Sequence, residues 1–197
     1  MPNIFSPTPR ADAIATARRW MADNPLFLDT ETTGLSFADR IVEIAVVNAA
    51  GECVYRHLVN PGIPIPAEAT AIHGITDEMV KDKPTFDMIL QELYDGLLGS
   101  TVVIYNAAYD TRMIRQSIES AGVAETIHPV CCAMKLFAQF QGEWDSRHGQ
   151  YKWHSLEKAM RLTGQAWPIS EMPHRAAADA KACRLVVMAM AAQEVIE

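Results

Sequence analysis

Asp29 and Glu31 close an apolar run, Leu26-Phe27-Leu28, and stand two residues apart. In an extended strand, side chains two apart share a face, with a Cα spacing of roughly 7 Å. Two carboxylates on one face of a buried strand repel each other, and burial favours their protonated forms. A hard divalent cation between them relieves both effects, and such oxygen donors suit Mg²⁺ or Mn²⁺. The alternative is that one acid faces water or caps the Thr32-Thr33-Gly34 turn. A second stretch, Asn106-Ala107-Ala108-Tyr109-Asp110, lies between an apolar segment and a helical pattern, where Asp110 would also serve as a helix N-cap. A third, His174-Arg175-Ala176-Ala177-Ala178-Asp179, opens the last helical pattern. Asp179 precedes Cys183, Val186 and Met190 at helical spacing, so its carboxylate lies on the apolar stripe. A buried carboxylate there needs a metal, a proton or a donor. His174 follows Pro173 in what reads as a loop, where a histidine is more often an ordinary surface residue.

The elements that must position these groups follow from periodicity and punctuation. Residues 11–22 are alanine-rich, with Ile14, Ala17, Arg18 and Met21 at helical spacing, and Asn24-Pro25 ends that helix. Leu26 to Glu31, Ile41 to Asn48 and Cys53 to Val59 read as three successive antiparallel strands. Asn60 to Ala67, with three prolines, reads as a loop. Helices are predicted over 85–98, over 110–121 with Gly122 as the stop, and to about 140. Short strands are predicted at 101–105 and near 127–131. Gln141 to Lys152 reads as an exposed polar loop. Ser155 to Thr163 is helical up to Gly164, and Arg175 to Val195 forms the last helix. A β-meander followed by alternating α and β elements predicts an α/β fold, a mixed sheet with helices on its faces.

The chain's 197 residues suit one domain with a full core. Apolar residues make up 49% and charged residues 21%, an ordinary balance for a globular protein. The longest apolar run, Leu185 to Ala192, is less than half of the roughly 20 residues that a spanning helix needs. Met1 to Arg10 does not have the pattern of a secretory signal, so a cytoplasmic location and no membrane partner are expected. Cys53, Cys131, Cys132 and Cys183 form no C-x-x-C pair and are expected as reduced core thiols. A net charge of −7 argues against a protein that coats long duplexes through a broad basic surface. It leaves room for an enzyme that grips a few terminal nucleotides with the help of bound cations.

The stretches Asp-Thr-Glu-Thr-Thr-Gly (29–34), Asn-Ala-Ala-Tyr-Asp (106–110) and His-Arg-Ala-Ala-Ala-Asp (174–179) resemble, in order and separation, the three motifs of the DEDDh, or DnaQ-like, 3′→5′ exonucleases. Ile72-His73-Gly74-Ile75-Thr76 and His154-Ser155-Leu156-Glu157 resemble segments between those motifs, and the resemblance runs from Leu26 to Met190. It implies a ribonuclease H-like mixed sheet of about five strands, three antiparallel with parallel additions, in a domain over 25–197 after an extension over 1–24 that carries a helix. It assigns Asp29, Glu31, Asp110 and Asp179 to two divalent ions, Mg²⁺ or Mn²⁺, and makes His174 the general base that takes a proton from the attacking water. It places Thr32, Gly34, His73, Asn106 and Tyr109 against the terminal nucleotide; for His73 the alternative is a buried loop histidine bonded to backbone. Family members often have His-Asn-Ala-x-Phe-Asp in the second motif, where this chain has Tyr105 and Tyr109. Tyr109 adds a hydroxyl that needs a partner if buried.

The activity so implied is removal of nucleoside 5′-monophosphates from the 3′ end of single-stranded or frayed nucleic acid, DNA before RNA. An exoribonuclease of the same family, or a silent nucleic-acid- or polymerase-binding module, is the alternative. Nucleic acid 3′ ends are the expected partner, with a polymerase or a second copy of the chain as further candidates. With about 18 residues following Asp179, a long C-terminal tail of the kind that could tether a polymerase is not expected. The N-terminal helix with Trp20 is either a docking element or a cover for one sheet face. Trp144, Arg147, Tyr151, Lys152 and Trp153 mix aromatics with charge, as suits stacking on unpaired bases; core anchoring by the two tryptophans is the alternative.

Overall fold

The computed structural model describes residues 8–120, 130–167 and 173–194. Helix α1 (Pro9–Ala22) starts at Thr8, whose hydroxyl accepts the Ala11 N–H, and stops where Asn24 turns left-handed ahead of Pro25. Strands β1 (Leu26–Thr32), β2 (Ile41–Val47) and β3 (Cys53–Leu58) form the predicted antiparallel meander. Two short helices follow, α2 (Ala67–His73) and α3 (Asp77–Val80), then α4 (Phe86–Leu97). Next come β4 (Val102–Ile104), α5 (Ala107–Ser120), β5 (Val130–Cys132) and α6 (Ala133–Gln141). A hairpin of β6 (Trp144–Asp145) and β7 (Gln150–Tyr151) leads to α7 (Leu156–Leu162) and α8 (Ala176–Ala191). The main sheet has the order β3-β2-β1-β4-β5, with β4 and β5 parallel to β1. This is the mixed five-stranded sheet flanked by helices.

Strand alternation divides the core into two layers. Phe27, Val47, Val103 and Tyr105 face α1, α6 and α8; Leu28, Val46, Val102 and Ile104 face α4 and α5. Asp29 and Glu31 share Phe27's face and so point towards α8. The first turns of α8 are alanine, and Ala176, Ala177, Ala178 and Ala180 are all buried. Ala176 and Ala177 pack directly on Ala45 of β2. Side chains this small let the helix backbone approach the sheet closely. A bulge falls where Glu31 pairs with Glu43 and Thr32 with Ile41, leaving Val42 unpaired with β1. Val42 packs instead with Ile65, Ala69, Ile75 and Val80, tying α2 and α3 to the sheet.

Several expectations are corrected. Helix α5 begins at Ala107, so Asp110 sits inside its first turn and is not its N-cap. Helices α2 and α3 replace unassigned chain, because pieces of 7 and 4 residues are too short to show a helical period. The exposed loop over 141–152 contains a hairpin, closed where Asp145 accepts the Arg147 and His148 N–H groups. Trp144 and Trp153 are 61% and 48% exposed, so neither anchors a core. Of the cysteines only Cys183 is buried; Cys53 is exposed on edge strand β3, and none is paired. Helix α1 lies on α6 and α8, with Trp20 against their shared apolar cluster. Gly122, the first part of the strand expected near 127–131 and the end of the last helix beyond 194 lie outside the described residues. No helix among the described residues is long and apolar enough to cross a membrane.

The alanine contact generates a test. Ala177→Leu should overpack the α8–β2 contact and cost about 1–3 kcal/mol of stability. A thermal melt measures it, and an unchanged melting temperature would show that this helix does not need its close approach.

Candidate active site

Oxygen atoms of Asp29, Glu31 and Asp179 lie within 4.8 Å of one another. The first two come from β1, and Asp179 from the first turn of α8. Both strand acids, each partly exposed, thus turn towards the same group of oxygens rather than one of them standing apart. Asp110 is 3% exposed and accepts a hydrogen bond from the Thr30 hydroxyl at 2.7 Å. It falls outside the tight triad, yet its charge acts on both Asp29 and Glu31. His174 is exposed, in left-handed backbone at φ 60°, and its N–H donates to the Asp179 carboxylate at 3.1 Å.

The electrostatics of this corner are those of concentrated negative charge. Burial, then Asp110, Asp179 and Glu31, raise the Asp29 carboxyl well above its usual range. Burial, then Asp179, Glu43 and Asp110, push Glu31 up to about 8, against a lowering pull from Arg175. Burial lifts Asp110 to about 7 despite the Thr30 hydrogen bond. Burial lifts Asp179 to about 6, while the His174 N–H and imidazole pull it down. Among the described residues, no lysine or arginine forms an ion pair with any of these four acids.

An all-oxygen, multiply anionic donor set without a counter-ion fits hard divalent cations. Burial, with Asp29 adding, holds the nearby Cys183 thiol well above its usual range, so it is not a thiolate competitor for a soft metal. Glu43 shows the opposite case. It is fully buried, and burial pushes its carboxyl up, but Arg175, Arg56 and the Ala176 N–H more than reverse this and leave it below its ordinary range. Sequence reasoning passed over Glu43 and Arg175. The available signal was a lone acid within the apolar run Ile41 to Val47, a residue that is rarely buried without a partner.

A cleft of about 670 Å³ opens beside the carboxylates. Glu31, Thr32, Gly34, His73, Asn106 and Tyr109 all line it. The Tyr109 hydroxyl has its partners: it lies 2.6 Å from the Thr32 hydroxyl and donates to the Gly34 carbonyl at 3.0 Å. His73 is a buried histidine bonded to backbone, as the alternative had it, except that it ends α2 rather than lying in a loop. Its Nδ1 accepts the Ile75 N–H, so Nε2 carries the proton and donates to the Thr32 carbonyl at 3.3 Å. Burial lowers its pKa, which favours this neutral form. Tyr105 points away from the cleft and donates to the His154 and Ser155 carbonyls, so it anchors α7 rather than facing a ligand. The rim after Gly34 is held by Asp39, which accepts from the Thr33 hydroxyl and the Ser36 N–H.

The fold and this carboxylate corner define a nuclease of the ribonuclease H-like class, and the comparisons agree. The RNase_T family model, described as exonuclease, matches residues 26–187. The chain belongs to that exonuclease family, within its DnaQ-like, DEDDh class of 3′→5′ exonucleases, and is a nuclease that hydrolyses phosphodiester bonds. It is 42% identical over 177 residues to uncharacterized exonuclease CP81 of Escherichia phage 186, covering 87% of this chain and 88% of that one. It is 32% identical over 126 residues to DNA polymerase III subunit epsilon of Rickettsia prowazekii, covering 57% of this chain and 55% of the relative. Among solved structures it is similar to exonuclease X in complex with 5′-overhanging duplex DNA, at 30% identity and a TM-score of 0.59, covering 86% of this chain and 94% of that one.

The raised carboxyls predict a pH dependence. In the unfolded chain these groups titrate near pH 4, and folding raises all four, so the folded state binds more protons. Their contribution is favourable at low pH and is lost as pH rises through about 6, 7 and 8. The melting temperature of chelator-treated protein should therefore fall across this range. Mg²⁺ or Mn²⁺ should restore it most at the alkaline end, and Glu31→Gln should flatten the slope. A melting temperature that stays constant over the range, with no response to metal, would contradict this account.

Proposed function

We propose that the chain removes nucleoside 5′-monophosphates one at a time from the 3′ end of single-stranded or frayed DNA. The observation that carries this is the convergence of Asp29, Glu31 and Asp179 within 4.8 Å, with Asp110 beside them, at the wall of an open cleft. These four acids would hold two divalent ions, which supply charge neutralisation at the scissile phosphate and acidify the attacking water. His174 is the general base. Its imidazole is exposed to an incoming substrate and acts electrostatically on Asp179, and an imidazole is the side chain most often used for such proton transfer. Thr32, Gly34, His73, Asn106 and Tyr109 meet the terminal nucleotide; the Tyr109 ring, Leu35 and Ile72 offer it apolar surface. A volume of about 670 Å³ suits a ligand of that size.

Support for DNA comes from the likeness to exonuclease X bound to duplex DNA and to DNA polymerase III epsilon subunits. The latter likeness also makes a replicative polymerase the first partner to test. With Mg²⁺, 5′-labelled single-stranded DNA should shorten stepwise from a free 3′ end and stay intact when that end is blocked. Matched RNA should be cut more slowly; faster loss of RNA would move the substrate class to RNA. Asp29→Ala should abolish release at any concentration of Mg²⁺ or Mn²⁺. His174→Ala should keep metal binding by calorimetry and lose roughly 10²-fold or more in turnover. Full rate in the Asp29 variant with excess Mn²⁺, or near-normal turnover in the His174 variant, would remove the corresponding role.

A further inference from the structure

Glu43 lies on β2 directly across from Glu31, with no exposed surface. Two like charges facing each other across a strand pair are unfavourable, so its placement needs a reason. Its carboxylate takes a two-pronged bond from Arg175, Nε at 2.9 Å and Nη2 at 2.6 Å. It also accepts the Ala176 N–H at 3.1 Å. Arg56 closes the far side, with Nε at 2.9 Å and Nη2 at 2.8 Å. Arg175 is the N-cap of α8, and its side chain makes no cap bond of its own. An anion brought from another strand thus caps that helix and meets its positive end.

The residue just before this bonded junction is His174, held in left-handed backbone at φ 60°. A non-glycine residue keeps such a conformation only where its surroundings enforce it. Its N–H bond to Asp179 and the Glu43 bonds to Arg175 and Ala176 close the segment from both sides. We propose that Glu43 is a positioning residue for the reaction: through Arg175 and Ala176 it fixes the chain at His174 and thereby aims that imidazole at the carboxylate corner. Asp179, one turn into α8, is kept in place by the helix itself. This rests on the reading of His174 as general base.

Glu43→Gln keeps the shape of the side chain and removes the charge that bonds both guanidinium groups. Folding is checked first by circular dichroism and melting. In the folded variant, turnover on single-stranded DNA should fall by roughly 10²-fold, the effect of a small misplacement of a reacting group. KM and Mg²⁺ affinity should change by less than about threefold, because Asp179 stays in place. In a His174→Ala background the same substitution should cost almost nothing more, since the two act as one unit. Independent losses that multiply, unchanged turnover, or a loss confined to Mg²⁺ affinity would each overturn the proposal. Amide hydrogen exchange at His174 and Ala176 reads the positioning without catalysis: both should lose protection. If the parent protein releases no nucleotide, the exonuclease reading fails, and retained protection in Glu43→Gln overturns the positioning as well. If Glu43→Gln does not fold, Arg175→Lys keeps the charge, loses the planar fork, and carries the same measurements with the same expected results.

Discussion

Four carboxylates crowd one poorly hydrated corner of this molecule, and their repulsion is the constraint that the surrounding structure has to withstand. A flexible scaffold would relieve it by letting the acids separate. Here Asp29 and Glu31 are fixed by their pairing with Ala45 and Glu43 of β2, on a strand whose start, Leu26 and Phe27, is also paired with β4. Asp110 is tied to Thr30 on β1, and Asp179 is carried by a helix packed on the sheet through alanines. None of the four can move away without breaking backbone pairing or core packing. The corner therefore keeps its demand for positive charge until a cation satisfies it.

Two treatments of a buried acid stand side by side. Glu43 is compensated within the protein by two guanidinium groups and a backbone N–H, and its carboxyl is held ionised. The four corner acids have no such partner among the described residues, and their carboxyls are lifted towards neutrality. The first pattern belongs to a structural joint and the second to a site awaiting a ligand. Arg175 connects them, because it pairs with Glu43 and also lowers the neighbouring Glu31.

The cleft wall is built with similar economy of means. Gly34 leaves room for Asp39, whose carboxylate lies where a side chain at position 34 would begin. Arg112 and Gln116 of α5 bond to the carbonyls of the rim between Leu35 and Asp39. The Tyr109 and Thr32 hydroxyls meet at the Gly34 carbonyl, so the tyrosine of the second motif is accommodated without an unpaired polar atom. These contacts join the first and second motifs into one surface.

The primary structure by itself determined the chemical inventory and the main elements. Acids two apart at the end of an apolar strand, and one on the apolar stripe of a helix, are readable because strand and helix periods dictate which side chains share a face. The meander was legible for the same reason, whereas the parallel placement of the short strands β4 and β5 came from the family resemblance. Short helices α2 and α3, the bulge at Val42 and the 144–151 hairpin were not, since each depends on packing rather than period. Only the tertiary structure decided that Asp110 stands inside a helix beside Thr30 and that alanines bring α8 down onto β2. It alone joined Glu43 to Arg175, 132 residues away. Partners so distant in the chain leave no local signal, because what selects them is the cost of burying a charge, which exists only once the sheet and helix have met.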